Sequence, residues 1–359
     1  MPPKARPTSP SPPRTAPGGA ASPLISKIVV VFQENHTFDN YFGSYPGADG
    51  TSGRPVRLPV IQGGTPSAAP THSATLTPAD LTHSWASAHA DYDSGKMDGF
   101  VYSERSLTTM TYFDRSDLPR YWALADSYVL CDRYFTSAMT ESAPNHLFLV
   151  AGTNGGIIDD HVPSSLPFPP IFAQLDAQGI SWKVYGFSRW YQSFEYVQKT
   201  PAAKSRFLPS AQFAVDVTSR SLADVSWIIG AVGGDEHPPA NVRAGQDGVL
   251  DGVINPLGQS PYWPSLALFL TWDCYGGFYD HVPPTQVDAF GYGFRVPCLV
   301  VSPYARQGVV DHVVNDHTSI LKFIETHFGL NPLSTRDAQA GDLSEAFDFT
   351  TPARSFSPL

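Results

Sequence analysis

Four stretches of this 359-residue chain place groups able to do phosphoryl or metal chemistry where the backbone must turn. The run from Lys27 to Phe32 is apolar and rich in β-branched residues, then gives way to Gln33, Glu34 and Asn35. A buried strand ending in a carboxylate and an amide presents both at its C-terminal end, where open α/β sheets hold ligands. The alternative is a strand entering a loop whose Asn caps a turn. Leu266 to Trp272 repeats the pattern and ends at Asp273, so Glu34, Asn35 and Asp273 converge if the two strands are neighbours, a condition that periodicity does not establish. Ser142 precedes Pro144, a residue favoured in the first helical turn, and Asn145 to Val150 reads as helix. Its hydroxyl therefore lies at or next to a helix N-cap, where orphan N–H groups and the dipole favour an alkoxide or phosphate oxygens, or where it is an ordinary cap. Gly233-Gly234-Asp235-Glu236-His237-Pro238-Pro239 cannot continue a helix or a central strand, so it displays His237 on a loop. There the imidazole is a general-acid candidate, or a turn histidine bonded to Asp235.

The elements that must position these groups alternate between helices and short apolar strands, the signature of an α/β fold with a mostly parallel sheet covered on both faces. The pattern predicts a helix over Pro170 to Ala177 stopped by Gly179, strands over Ser181 to Tyr185, Leu266 to Trp272 and Arg295 to Val301, and a helix over Thr318 to Phe328 closed by Gly329. Residues 1–24 form a Pro-rich tail without the apolar core of a signal peptide, so a cytoplasmic location is the default expectation. Residues 25–333 make one catalytic domain, with Ser44 to Pro78 as a Gly/Pro-rich excursion over the site, and residues 334–359 lose periodicity and read as a second tail.

A hydrophobic fraction of 42% allows a large single core. The formal net charge of −10 argues against nucleic acid as a partner, because such binding depends on clustered Lys and Arg. No run is long and apolar enough to span a bilayer, which leaves transient contact with a membrane surface as the only membrane role. Cys131, Cys274 and Cys298 form no disulfide framework and read as free thiols.

Five blocks then match a known pattern in order: Glu34-Asn35-His36-Thr37-Phe38-Asp39-Asn40-Tyr41-Phe42-Gly43; His83-Ser84-Trp85 with Gly95-Lys96-Met97-Asp98-Gly99-Phe100; Ser142-Ala143-Pro144-Asn145; Asp235-Glu236-His237-Pro238-Pro239; and Thr271 to Pro284. Over roughly residues 26 to 330 the chain resembles the bacterial and plant phosphoesterase family of non-specific phospholipases C and related acid phosphatases, within the alkaline phosphatase-like superfamily. The resemblance implies an alkaline phosphatase-like sheet in which the first strand and the Leu266–Trp272 strand are adjacent. It implies hydrolysis of a small-molecule or phospholipid phosphate ester, with Ser142 as nucleophile forming a phosphoseryl intermediate. Thr140 is the second choice for that role.

The same resemblance implies that His83 assists His237 in catalysis and that Asn35, His281 and His317 bind phosphate; His89 and His146 are weaker candidates. At most one divalent ion is implied, held by Glu34, Asn35, Asp273 and Cys274 beside Ser142. Two departures bear on it. Relatives usually place a second acidic residue where this chain has Cys274, and a Gly-Glu pair where it has Gly245-Gln246. A thiol in place of a carboxylate disfavours Mg²⁺ or Ca²⁺ and favours Zn²⁺ or no ion. The departures also keep open a non-catalytic phosphate-ester-binding relative. A sulfatase or phosphonate hydrolase is less favoured, since Ser142 lacks the Arg context of a formylglycine enzyme. Tyr41, Phe42, Trp85 and Trp190 could meet an acyl chain or pack the core.

Overall fold

The computed structural model describes residues 24–187, 189–230 and 234–359; the expected N-terminal tail lies almost wholly outside the described residues. Eight strands form the central sheet: β1 (Lys27–Gln33), β2 (Val129–Cys131), β3 (Trp182–Gly186), β4 (Phe207–Leu208), β5 (Val225–Ile229), β6 (Leu266–Trp272), β7 (Cys298–Val301) and β8 (Val309–Asp311). Their order is β8-β2-β7-β6-β1-β5-β3-β4. All neighbours are parallel except β7, which runs antiparallel to both β6 and β2. The sheet is thus mixed and mostly parallel, as the alternating pattern predicts.

The two strands richest in aliphatic residues sit side by side in its centre. β1 and β6 are buried along nearly their whole length, the condition that lets a strand be apolar at every position. Their register pairs Phe32 with Thr271 and Gln33 with Trp272, and the Asp273 N–H donates to the Gln33 carbonyl at 3.0 Å. Glu34 and Asp273 therefore leave the sheet abreast of each other. On the other side of β1, the Glu34 N–H donates to the Asp235 carbonyl at 2.7 Å, which ties the loop after β5 to the same edge.

Most sequence-derived boundaries lie within a residue or two of the observed ones: helices span Ile171–Ala177 and His317–Phe328, the latter closed by Gly329 at φ +64°. The strand expected from Arg295 begins only at Cys298. Arg295 is fully buried and its guanidinium bonds Asp39, Asp280 and the carbonyls of Asp49 and Asp132, so the chain bends there to satisfy a buried cation. Asp49 comes from the Ser44–Pro78 excursion, which is thereby fastened to this ionic cluster.

The tail expected over residues 334–359 is instead part of the domain. Ser334 and Asp337 form a capping box for a Thr335–Gln339 helix, and Arg336 is buried against Asp316 at 3.2 Å and the Ser137 carbonyl at 2.9 Å. Phe347 stacks on Phe323 at 5.4 Å and Phe356 packs on Trp263 at 5.0 Å. The segment lacks long-range periodicity because its contacts are single aromatic and ionic anchors spaced along an extended path. Cutting the chain after Leu333 should therefore abolish stable folding, read as loss of a cooperative thermal transition. Arg336→Ala should cost about 3–5 kcal/mol in denaturant unfolding, since it strands the buried Asp316 carboxylate. The exposed Lys199→Ala serves as a control and should stay within about 0.5 kcal/mol.

Candidate active site

Asn35 is the hub on which the site is built. It adopts φ +84°, a left-handed conformation that Asn tolerates better than most residues, and so turns its amide back over the sheet edge. Gly276 packs against it so closely that a Cβ would lie 2.3 Å from the Asn35 carbonyl oxygen, which makes glycine obligatory there. The Asn35 Nδ2 donates to His83 Nε2 at 3.4 Å, while His83 Nδ1 donates to the Leu81 carbonyl at 2.8 Å. On its other side Asn35 Oδ1 accepts from Cys274 Sγ at 3.1 Å and from Ser142 Oγ at 3.5 Å.

Ser142 is the first residue of the Ser142–Ala151 helix, following Glu141 as N-cap, and is buried. Its hydroxyl lies beside the carboxylates of Glu34 and Asp273, whose ionised forms it favours by hydrogen bonding. The helix N-terminus is only partly open to a ligand, because the Ala143 N–H already donates to Asp160 Oδ1 at 2.8 Å. Thr140 is not an equivalent nucleophile: its hydroxyl is held in a short bond to the Ile158 carbonyl. His237 donates from Nδ1 to the Pro238 carbonyl at 2.7 Å, and its ring centroid lies 5.9 Å from that of His83. Glu34, Asn35, His83, Ser142, His237 and Asp273 are thus brought to one edge of the sheet.

Several other candidates take different roles. His281 has both ring nitrogens bonded to carboxylates, Asp39 at 2.6 Å and Asp49 at 3.2 Å, within the Arg295 cluster, so no nitrogen remains for phosphate. His317 is fully buried behind the site, with Nε2 donating to the Asp273 carbonyl at 3.0 Å and Nδ1 facing the Tyr134 hydroxyl at 3.3 Å. It orients Asp273 from behind, and burial lowers its pKa to about 4, which keeps the ring neutral. The Cys274 thiol donates to Asn35 Oδ1 at 3.1 Å and is not part of the Glu34, His146 and Asp273 donor group; burial, then Asp273, push it well above the ordinary thiol range. His89 bonds the Trp85 carbonyl of its own helix at 2.7 Å. Gln246 is no member of the site: its Oε1 accepts from the N–H groups of Arg120 and Tyr121 at 2.9 and 3.0 Å, capping the Pro119–Ser127 helix. Tyr41, Phe42 and Trp190 are buried in the structure, whereas Trp85 is partly exposed.

One group escapes the sequence reading, and a second is only a weaker candidate in it. Glu236 is fully buried, and its carboxylate accepts from Tyr41 at 2.7 Å, Tyr121 at 2.5 Å, Trp272 at 3.0 Å and Gln33 at 3.1 Å, anchoring the loop that carries His237. Four donors to one carboxylate come from distant segments and leave no local signature. His146 did have one, since it follows Ser142 by four residues and must share its helix face. It faces Asp273 at 3.7 Å and Glu34 at 4.0 Å.

The electrostatics of this edge are those of unneutralised acids. Burial, then the charges of Asp235 and Asp160, push Glu34 up to about 8; burial, then Glu34, hold Asp273 well above the carboxylate range. Asp273 Oδ2 and His146 Nε2 are buried without a hydrogen-bond partner. Orphaned buried acceptors beside a second carboxylate are what a divalent cation would satisfy, and the donors of Glu34, His146 and Asp273 all lie within 4.8 Å of one another. The residues fit an ion. The other acidic clusters fit less well: Asp39, Asp280 and His281 already share the Arg295 guanidinium, and the His72, Asp114 and Asp117 group is largely exposed.

The Phosphoesterase family model matches residues 25–331. Phospholipase C A of Mycobacterium tuberculosis is 30% identical, in a match covering 93% of this chain and 79% of that protein. Non-specific phospholipase C1 of Arabidopsis thaliana is 28% identical over 93% of this chain and 73% of its own. Among solved structures, an alkaline phosphatase superfamily protein from Vibrio parahaemolyticus superposes with a TM-score of 0.46 at 11% identity, covering 90% of this chain and 71% of that one. That superposition is too loose to carry an assignment.

Because Glu34 is raised from 4.5 to about 8, the folded metal-stripped protein binds more protons than the unfolded chain between those values, and its stability falls as pH rises through that window. Glu236, pushed up to about 7 by burial, adds to the lower part of the slope. Melting temperature of chelator-treated protein should therefore drop from about pH 5 to about pH 8. Glu34→Gln should flatten the upper part of that decline, and a saturating divalent cation should oppose it. An identical pH dependence in wild type and Glu34→Gln would show that Glu34 is ionised throughout.

Proposed function

This chain belongs to the Phosphoesterase family and is a phosphoric ester hydrolase, and on that premise we propose that it cleaves its substrate by double displacement through Ser142. The observation that carries this reading is the Ser142 hydroxyl, held by Asn35 next to two strand-end carboxylates, with His83 and His237 across the same edge. In the first step Ser142 Oγ passes its proton to the Glu34–Asp273 pair and bonds phosphorus, while the bond from phosphorus to the alcohol oxygen breaks. His237 Nε2 gives its proton to the departing oxygen. In the second step the now neutral His237 takes a proton from water, which bonds phosphorus as the bond from phosphorus to Ser142 Oγ breaks; the carboxylate pair returns its proton to Oγ, and phosphate or a phosphomonoester is released. A divalent ion bound at the carboxylates would supply positive charge against the serine alkoxide and the phosphoryl oxygens.

His83 lies where it can steady a non-bridging oxygen through Asn35 or directly, and Glu236 holds the His237 loop in place. The relatives named phospholipase C support a phospholipid phosphodiester as the substrate class. Trp85, partly exposed beyond His83, supplies apolar surface for an acyl chain.

Replacing Ser142 by Ala should lower turnover of p-nitrophenyl phosphorylcholine by at least about 10³-fold with the thermal transition unchanged, because the covalent route is lost while no packing is removed. A variant retaining more than a tenth of wild-type activity would make a water molecule the nucleophile. His237→Asn should slow alkyl esters far more than aryl esters, since a phenolate leaves without protonation. Equal losses for both would assign His237 to phosphate binding.

A further inference from the structure

We infer that His146 is a nitrogen ligand of the cation at this site, so that the ion is held by Glu34, Asp273 and an imidazole and is a zinc-like transition metal in preference to Mg²⁺ or Ca²⁺. The inference rests on the phosphoesterase reading of the same edge, and deepens it by naming the ion's class.

His146 Nε2 is buried, has no hydrogen-bond partner, and points between Asp273 Oδ2 at 3.7 Å and Glu34 Oε1 at 4.0 Å. Donors bound at about 2.0–2.2 Å in a tetrahedral shell lie somewhat over 3 Å apart, so a small inward movement of each side chain would close the shell. The ring is fixed from every other side. Phe32 packs edge-on at 4.6 Å and Trp190 at 4.9 Å, and Nδ1 meets the Tyr191 hydroxyl at 2.9 Å. If the Tyr191 oxygen accepts the Nδ1 proton, the Nε2 lone pair is left facing the two carboxylates, the arrangement by which metal-binding histidines are usually oriented.

Protonation of the ring is the competing way to fill the same gap, an imidazolium between two acids. The aromatic enclosure opposes it, because a charged ring would be buried against Phe32 and Trp190. A neutral nitrogen between two oxygens is also a poor match for Mg²⁺ or Ca²⁺, which take oxygen donors, and a good one for Zn²⁺, Fe²⁺ or Ni²⁺. Cys274, whose thiol is turned onto Asn35, leaves the nitrogen as the chain's own replacement for a missing acidic donor.

The test uses the full chain stripped with chelator, titrated with Zn²⁺, Mn²⁺ and Mg²⁺, and pulsed electron paramagnetic resonance of the Mn²⁺ form with ¹⁵N-labelled histidine. The expected result is a directly bound histidine nitrogen in wild type that vanishes in His146→Gln. Zn²⁺ affinity should fall at least about tenfold in that variant, with Mg²⁺ affinity within about threefold. Asp273→Asn should weaken all three ions. If His146→Gln does not fold, Tyr191→Phe decides: Zn²⁺ affinity about tenfold lower and a shifted nitrogen signal support the ligand, and unchanged values overturn it. Ions that bind, respond to Asp273→Asn and show no histidine nitrogen, or one that persists in His146→Gln, overturn the role of His146 while leaving the hydrolase reading intact. Failure of wild type to bind any of the three ions also overturns it, and the serine route then stands or falls on Ser142→Ala alone.

Discussion

Two carboxylates that would repel each other in isolation are forced together by the parallel pairing of the two most hydrophobic strands, and the rest of the molecule is arranged around that constraint. Neither Glu34 nor Asp273 can retreat, because each is the first residue beyond a fully paired, buried strand in register with its neighbour. Burial then raises both above the ordinary carboxylate range, and together with His146 they form a group whose donors could hold a metal ion. The Ser142–Ala151 helix delivers Ser142 and His146 to this pair from one face, one turn apart. The loop after β5 delivers His237, and its position is fixed by the bond from the Glu34 backbone and by the four donors around Glu236.

Support for this edge extends well behind it. His317 orients the Asp273 backbone, and the helix it begins is capped by Asp316, which in turn is neutralised by Arg336 from the C-terminal segment. A chain of single contacts thus connects the C-terminal segment to the Asp273 backbone at the end of β6. On the other side, Arg295 gathers Asp39, Asp49, Asp280 and His281 into a separate cluster. That cluster accounts for the Asp280-His281 pair following the glycines.

The legible parts of this architecture were those written in local pattern. Continuous apolar runs marked β1 and β6, and a polar residue immediately after each run marked Glu34 and Asp273; Pro144 marked the helix start beside Ser142. Groups whose environment is assembled from distant segments were not legible. His281 sits in a matching motif and His317 beyond it, yet their ring nitrogens are consumed by Asp39, Asp49, Tyr134 and a backbone carbonyl, none of which a linear motif places near them. The C-terminal segment failed to announce itself because isolated anchors such as Arg336 and Phe347 have no period. His146 stood in plain view four residues after Ser142, but only the structure shows that its free nitrogen faces the acids.

The central claim is that phosphorus is attacked by the protein before it is attacked by water. Its most direct test is the stereochemical course at phosphorus, followed with a substrate made chiral by oxygen isotopes and hydrolysed in isotopically labelled water. Each in-line displacement inverts the centre, so two successive displacements through Ser142 predict net retention. Net inversion would mean a single attack by water and would contradict the account.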